Sequence, residues 1–272
     1  MNSPPTPAGA RYYQRCLEAI GAIRAASDDI RALQHQSVSC LRIGLICIFA
    51  TALAPTLKRY MWDYPNVKLK LVEGYSGVLI EKLATGDLDV ALVTKFEPRP
   101  GLSSRLLVRD CEMLVSGKAR KLTPHAPIRL KDIPQLKIVS PGPKNMHHRN
   151  LEAYFEANNI HVGDVIEMEG IVSTLEFVAA TDWVAILPTI TRNSLQRKDL
   201  FVNAIIDPPM RTDFMMVTSD QQASNPQAQH FMKQFKAEVS GFARKSNGPA
   251  ASAELKMRYI ANGGYAAHRQ KA

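Results

Sequence analysis

The first long stretch of the chain has helical periodicity. From Ala10 to Gln36 there is no proline and only one glycine, Gly21. Apolar residues recur there at Cys16, Leu17, Ile20, Ile23, Ile30 and Leu33. The spacing predicts one amphipathic helix about 40 Å long. A helix with a single apolar stripe needs a partner surface, and we expect the same helix of a second chain. The alternative is a helix that lies on its own domain.

Residues 40–120 alternate between strand and helix patterns. Strands are predicted at 41–45, 67–72, 90–94 and 106–116, and helices at 50–62 and 78–85. The run 90–94 is short and continuously apolar, which is typical of a strand buried in a parallel sheet. Strands and helices in this order predict a doubly wound α/β lobe.

A second series of strands and helices follows in residues 121–211. Strands are predicted at 137–140, 165–168 and 184–187, and helices at 146–158, 172–180 and 189–195. A late strand at 213–219 and a helix at 227–243 have no lobe of their own, so we expect them to return to the first. We therefore predict two doubly wound α/β lobes with a ligand cleft between them: lobe I from 40–120 and 212–243, lobe II from 121–211.

Composition and charge narrow the function classes. Hydrophobic residues are 46% of the 272, enough for two cores, and no apolar run is long enough to span a membrane. The formal net charge is +9, but residues 243–272 carry +5 of it, so the charge does not indicate a nucleic-acid surface on the lobes. The basic tail, residues 244–272, has little apolar periodicity and is predicted to be disordered.

The sequence contains no recognisable catalytic or metal-binding motif. Its four cysteines are scattered without metal-ligand spacing, so we expect reduced, buried thiols. The segment from Gly74 to Gly77 is one residue short of a nucleophile elbow, and dinucleotide-binding, P-loop and zinc-protease motifs are absent. We predict no enzyme activity, no cofactor and no metal. The chain has no secretory signal pattern, which predicts a cytoplasmic protein without membrane partners.

Seven short blocks, in the same order and at similar separations, resemble those of LysR-type transcription regulators. They are TPAG at 6–9 followed by Tyr12 and Tyr13, LRIG at 41–44, LAP at 53–55, YPNV at 64–67, VEGYS at 72–76, LATGDLDVAL at 83–92, and FVAA at 177–180 with VAILP at 184–188. The order of the blocks is more specific than any one of them. The resemblance covers roughly residues 4–243.

The resemblance implies a bacterial regulator with a sensor like the periplasmic binding proteins. A linker helix at residues 10–37 would form its dimers or tetramers. Residues 1–9 would be the remnant of a winged helix-turn-helix, whose recognition helix enters the major groove and would precede them. We therefore expect DNA binding only if that domain is supplied. Ile48 departs from the pattern, because many family members have Ser or Thr there to bind an effector carboxylate.

Ten residues at strand ends and helix starts are predicted to contact the ligand. In lobe I they are Cys47, Ile48, Phe49, Ser76 and Thr94; in lobe II they are Ser140, Asn145, His147, Val172 and Ser173. Helix N-termini offer N–H groups and a positive dipole end, so the predicted ligand is small and anionic. Alternatives stay open: 47–49 as ordinary core, Ser76 as a helix cap only, and the histidines at 147–148 as a solvated face.

Two functions are compatible with this architecture. The first is a sensor, in which a small metabolite shifts the closure of the lobes and thereby biases a dimer or tetramer. The second is a stand-alone solute-binding protein. The linker helix and the lack of a signal pattern favour the sensor.

Overall fold

A computed structural model describes residues 6–33, 40–94, 97–195, 197–220 and 225–247. These residues form two units. Unit 1 comprises the described residues up to Leu107 together with Phe214–Lys236, and unit 2 comprises Val108–Asp213 with the part of the last helix from Ala237 onward. The predicted extreme N-terminus and most of the predicted tail, 248–272, lie outside the described residues.

Six helices and nine strands are found in the described ranges. In chain order the helices are α1 Pro7–Leu33, α2 Ala50–Asp63, α3 Ser76–Ala84, α4 Met146–Ala157, α5 Ile171–Ala180 and α6 Pro226–Asn247. The strands are β1 Cys40–Leu45, β2 Lys68–Glu73, β3 Val90–Thr94, β4 Leu102–Gly117, β5 Leu136–Ser140, β6 Val162–Glu167, β7 Val184–Pro188, β8 Leu200–Ala204 and β9 Arg211–Ser219. Short 3-10 helices occupy Cys47–Phe49, Lys118–Arg120, Leu130–Asp132 and Thr189–Leu195.

Helix α1 corresponds to the predicted linker helix. Thr6 Oγ1 accepts a hydrogen bond from the Gly9 N–H at 3.1 Å, so it caps the helix that begins with Pro7. The helix contacts α3, and Leu17 is only 5% exposed. Ile23 and Ile30 of the same apolar stripe are 68% and 57% exposed. Part of the stripe therefore lies on unit 1, and the rest is open to solvent.

In unit 1 the strands have the order β2-β1-β3-β9, with β1, β2 and β3 parallel and β9 antiparallel to β3. Every residue of β3 is buried, as its continuous apolar run predicts. Asp89, just before β3, is 2% exposed and accepts hydrogen bonds from the main chain and the guanidinium of Arg42 on β1. This ion pair fixes the adjoining starts of two parallel strands.

Aromatic side chains form the core between α2, β9 and α6 in unit 1. The ring of Phe49 packs edge-on against Phe214 and Phe235, with centroids 5.2 and 5.6 Å apart. Phe231 stacks on Phe235 and meets Tyr60 of α2 edge-on. The first half of α6 is held to unit 1 by these rings, because each of them is buried.

Unit 2 is built on the parallel strands β5, β6 and β7, with β4 antiparallel to both β7 and β8. Its sheet has an apolar core on each face. One contains Leu136, Ile138 and Leu151, and the other contains Val139 and Val178. Alternate residues of β5 thus point to opposite faces, as strand geometry requires.

Several predicted elements differ from the observed ones. Strand β8 was not predicted, and β6 begins at Val162 rather than at residue 165. Residues 189–195 were predicted as an ordinary helix but form a 3-10 helix. The chain leaves unit 1 after Leu107, inside β4.

Candidate ligand-binding site

In unit 1 the carboxyl end of β3 meets the start of α3. Thr94, the last residue of β3, is 5% exposed. Its Oγ1 lies 3.0 Å from Oγ of Ser76, the first residue of α3, and its N–H donates to the same Ser76 oxygen at 3.4 Å. Ser76 does not act as a helix cap, because the N-cap position is Tyr75. The fold thus joins two predicted site residues into one hydroxyl pair.

The segment Cys47–Phe49 lies between β1 and α2. Cys47 and Ile48 are partly buried, and the Cys47 thiol is not in a disulfide. Phe49 has no exposed surface, since its ring belongs to the aromatic core of unit 1. Phe49 therefore offers no surface to a ligand in this structure.

In unit 2 the start of α4 lies beside the carboxyl end of β7. Asn145 caps α4, with its side-chain oxygen accepting the His147 N–H at 3.0 Å. The Nε2 of His147 lies 2.8 Å from the carbonyl oxygen of Ile186. A carbonyl only accepts, so Nε2 carries a proton and donates it. Both the capping amide and the imidazole are thus engaged with the protein.

Ser140, at the end of β5, belongs to a different group of side chains. Its Oγ donates to the Pro141 carbonyl and lies 3.1 Å from Nδ1 of His148, whose Nε2 is 3.1 Å from Glu152 of the same helix. Ser140, His148 and Glu152 line an open cavity of about 520 Å³ in unit 2. The rest of its lining is Ile138, Leu151, Phe155, Glu156, Val162 and Val165.

The start of α5 carries the last two predicted residues. Val172 is 70% exposed, and Ser173 is exposed with its Oγ donating to the Gly170 carbonyl at 2.8 Å. Gly170 is the N-cap residue of α5. These residues are accessible, but the fold does not bring them into contact with Ser140 or Asn145 through any described hydrogen bond.

Two buried acids on β4 were missed by the sequence analysis. Asp110 accepts hydrogen bonds from the N–H groups of Ile190 and Cys111 at 2.7 and 2.9 Å, and from the Thr189 hydroxyl. Glu112 accepts one from the Thr212 hydroxyl of β9 at 2.6 Å. The available signal was a pair of carboxylates at alternate positions of the mostly apolar run 106–115, since buried charges of this kind require partners.

Burial dominates the electrostatics of these two acids. It raises the pKa of Asp110, although the donors from Thr189, Ile190 and Cys111 act in the opposite direction. Burial likewise raises the pKa of Glu112, which His147 and Thr212 lower and Asp110 raises. Both carboxyl groups therefore hold their protons to a higher pH than an exposed carboxyl does.

Within the described ranges, no group of three or more His, Cys, Asp and Glu side chains is arranged to hold a metal ion. Among the same residues, none of the helices combines the length and apolarity that a membrane span requires.

Both the fold and the sequence have relatives among known proteins. A full-length OxyR variant from Pseudomonas aeruginosa superposes with a TM-score of 0.67 at 15% identity, covering 85% of this chain and 78% of that one. The BenM effector-binding domain with its effector benzoate superposes at 0.64 with 17% identity, covering 78% and 97%. These neighbours define a periplasmic-binding-protein-like α/β fold and confirm the predicted fold class.

The family described as LysR substrate binding domain matches residues 35–240. This chain belongs to the LysR family, which confirms the predicted family. A Bacillus subtilis relative, the uncharacterized HTH-type transcriptional regulator YybE, is 24% identical over 183 residues, covering 67% of this chain and 63% of the relative. The Escherichia coli nitrogen assimilation regulatory protein nac is 24% identical over 228 residues, covering 83% and 74%.

The curated relatives are named as transcription regulators rather than as enzymes. The chain spans less than two thirds of the length of YybE and of two further curated relatives.

Proposed function

We propose that this chain is the ligand-sensing part of a LysR-type transcription regulator and that it binds a small anionic metabolite. The observation that carries the proposal is the hydroxyl pair of Ser76 and Thr94 at the carboxyl end of the parallel strands of unit 1. Two hydroxyls contain two protons, and the bond between them uses one. The other O–H can donate to a ligand oxygen beside the N-terminus of α3.

The proposed site includes the other predicted residues of unit 1 that have accessible surface. Cys47 and Ile48 belong to it in unit 1. The predicted contacts of Asn145, Val172 and Ser173, which lie in unit 2, stay predictions. The predicted ligand contact of His147 also stays a prediction, and its Nε2–H is already bonded to the Ile186 carbonyl. The predicted cleft between the lobes and the predicted contact with Ser140 stay predictions.

The names of the relatives favour a cytoplasmic sensor over a stand-alone solute-binding protein. The effector of BenM is benzoate, a small carboxylate, which supports an anionic ligand here by analogy. The family match over residues 35–240 is to the substrate binding domain. We expect contact with DNA to be made by a separate DNA-binding domain.

The ligand class can be tested with a small-molecule extract of bacterial cytosol. We expect the extract to raise the melting temperature of the chain, and its active fraction to be retained by an anion exchanger. The double variant Ser76→Ala, Thr94→Val should bind that fraction about tenfold more weakly or worse, because it loses a hydrogen bond to a charged group.

The exposed Ser104 of unit 1 provides a matched control, and Ser104→Ala should keep the full shift in melting temperature. An active fraction that passes through the anion exchanger would contradict the anionic ligand. A double variant with undiminished binding would contradict the role of the hydroxyl pair.

We also propose that the exposed face of α1 mediates self-association. Replacing Ile23 and Ile30 with lysine should convert a dimer or tetramer into a monomer, because charges would replace the apolar contact. Light scattering during size-exclusion chromatography gives the mass. Ala22→Lys, on another exposed side of the helix, should leave the mass unchanged. A monomeric wild type, or an unchanged mass in the isoleucine variant, would contradict this interface.

A further inference from the structure

Glu112 is an acidic side chain in the interior of unit 2. Its side chain is 0% exposed, and Oε1 accepts the Thr212 hydroxyl at 2.6 Å. Oε2 is buried and has no hydrogen-bond partner among the described residues. A buried carboxylate with one unsatisfied oxygen is costly, so the charge state of this group affects the stability of the surrounding strands.

One imidazole faces this carboxyl group. Nδ1 of His147, at the start of α4, lies 3.9 Å from Glu112 Oε1. Because Nε2 donates to the Ile186 carbonyl, Nδ1 is the nitrogen that faces the carboxyl group. The distance is too long for a hydrogen bond but short enough for attraction between opposite charges.

The other elements packed around Glu112 offer no cation to its carboxyl group in the described contacts. On its own strand Asp110 lies two residues away and is also acidic, with its own donors from Thr189 and Ile190. Strand β9 contributes the neutral Thr212, and β7 places Pro188 opposite Glu112. Arg211 of β9 interacts with the neighbouring Cys111. His147 is therefore the group that can balance a charge on Glu112.

We propose that Glu112 and His147 form a proton-dependent latch that joins the start of α4 to β4 and β9. With one proton on the Glu112 carboxyl group both side chains are neutral. When the pair loses the proton to solvent, an uncompensated carboxylate stays buried and the latch weakens.

The latch makes unit 2 less stable at higher pH. The pKa of Glu112 is raised above its value in the unfolded chain, mainly by burial. Its stabilising effect is therefore complete below the unfolded pKa and is lost as the pH rises through the folded pKa. Within that range the unfolding equilibrium constant grows about tenfold per pH unit relative to a chain that lacks the group.

Urea unfolding of the full chain between about pH 5 and about pH 8.5 tests this latch. The unfolding constant of the wild type divided by that of Glu112→Gln should rise by about tenfold or more over the range. The control Glu156→Gln alters an exposed glutamate of α4, and its ratio should stay constant. A constant ratio for Glu112→Gln as well would overturn the latch.

A second measurement needs no variant of Glu112. Carboxyl carbon NMR of the wild type labelled at glutamate should show one residue that titrates at higher pH than the others. In His147→Gln that resonance should move to still higher pH, because the imidazole that favours ionisation is removed. Glutamates that all titrate together, or a resonance insensitive to His147→Gln, would overturn the pairing. No ligand is present in either experiment, so the outcome is independent of the proposed function.

Discussion

Replacing Asp110 with asparagine is expected to lower the free energy of unfolding by about 2–3 kcal/mol. Asp110 is 1% exposed, and its oxygens accept from two N–H groups and one hydroxyl. In asparagine an NH₂ group replaces one of the two accepting oxygens. At least one of the three groups that donate to Asp110 would then face another donor and lose its hydrogen bond. The contacts to Thr189 and Ile190 hold the 3-10 helix after β7 against β4, so this segment should loosen first.

Urea unfolding at neutral pH measures this change, and hydrogen exchange locates it. Asp182→Asn is the matched control, because Asp182 pairs with Lys137 at 3.0 Å on the surface and should contribute little. Equal stability of Asp110→Asn and wild type would contradict the assigned anchoring role. The role would also be contradicted if the amides of other segments exchanged faster in the variant while those of residues 189–195 exchanged at the wild-type rate.

Gly117→Ala is expected to destabilise unit 2 by about 3 kcal/mol, at the upper end of overpacking effects. Gly117 ends β4 where the last turn of α5 crosses it. A Cβ there would overlap the carbonyl oxygens of Val178 and Ala179, the latter at 2.7 Å. Main-chain atoms of a helix cannot turn aside as a flexible side chain can, so helix and strand must separate.

Gly77→Ala is the opposite control. A Cβ at Gly77, in the first turn of α3, meets nothing within 4 Å. This substitution should stabilise the chain by up to about 1 kcal/mol, because alanine loses less backbone entropy in a helix. Thermal unfolding of both variants measures the difference. A Gly117→Ala variant as stable as Gly77→Ala would show that α5 and β4 are less closely packed than described.

Regular patterns in the sequence were enough to predict most elements, and the exceptions have physical causes. Strand β3 is a continuous buried run, which leaves little ambiguity. Strand β8 is as short as β3 but has the polar Asn203 among its five residues. Asn203 is only 1% exposed, and its side-chain NH₂ donates to the carbonyls of Thr123 and Ala126. These bonds allow the polar side chain to be buried. A buried polar residue interrupts the alternation of apolar and polar residues on which strand prediction depends, and its distant partners cannot be identified from the sequence.

The candidate site was less predictable than the fold. Strand ends and helix starts were identifiable, because they follow from the order of elements. The pairing of Ser76 with Thr94 was not, because it depends on how α3 packs beside β3. The acids of β4 have partners as far as 100 residues away along the chain, as for Glu112 and Thr212. Such contacts have no local signature in one sequence.

The most direct test of the proposed sensor function is a crystal structure of the chain with the anion purified from the extract. We expect density for the anion within hydrogen-bond distance of Ser76 Oγ or Thr94 Oγ1. Density confined to the cavity lined by Ser140 and His148 in unit 2, with the hydroxyl pair unoccupied, would contradict it.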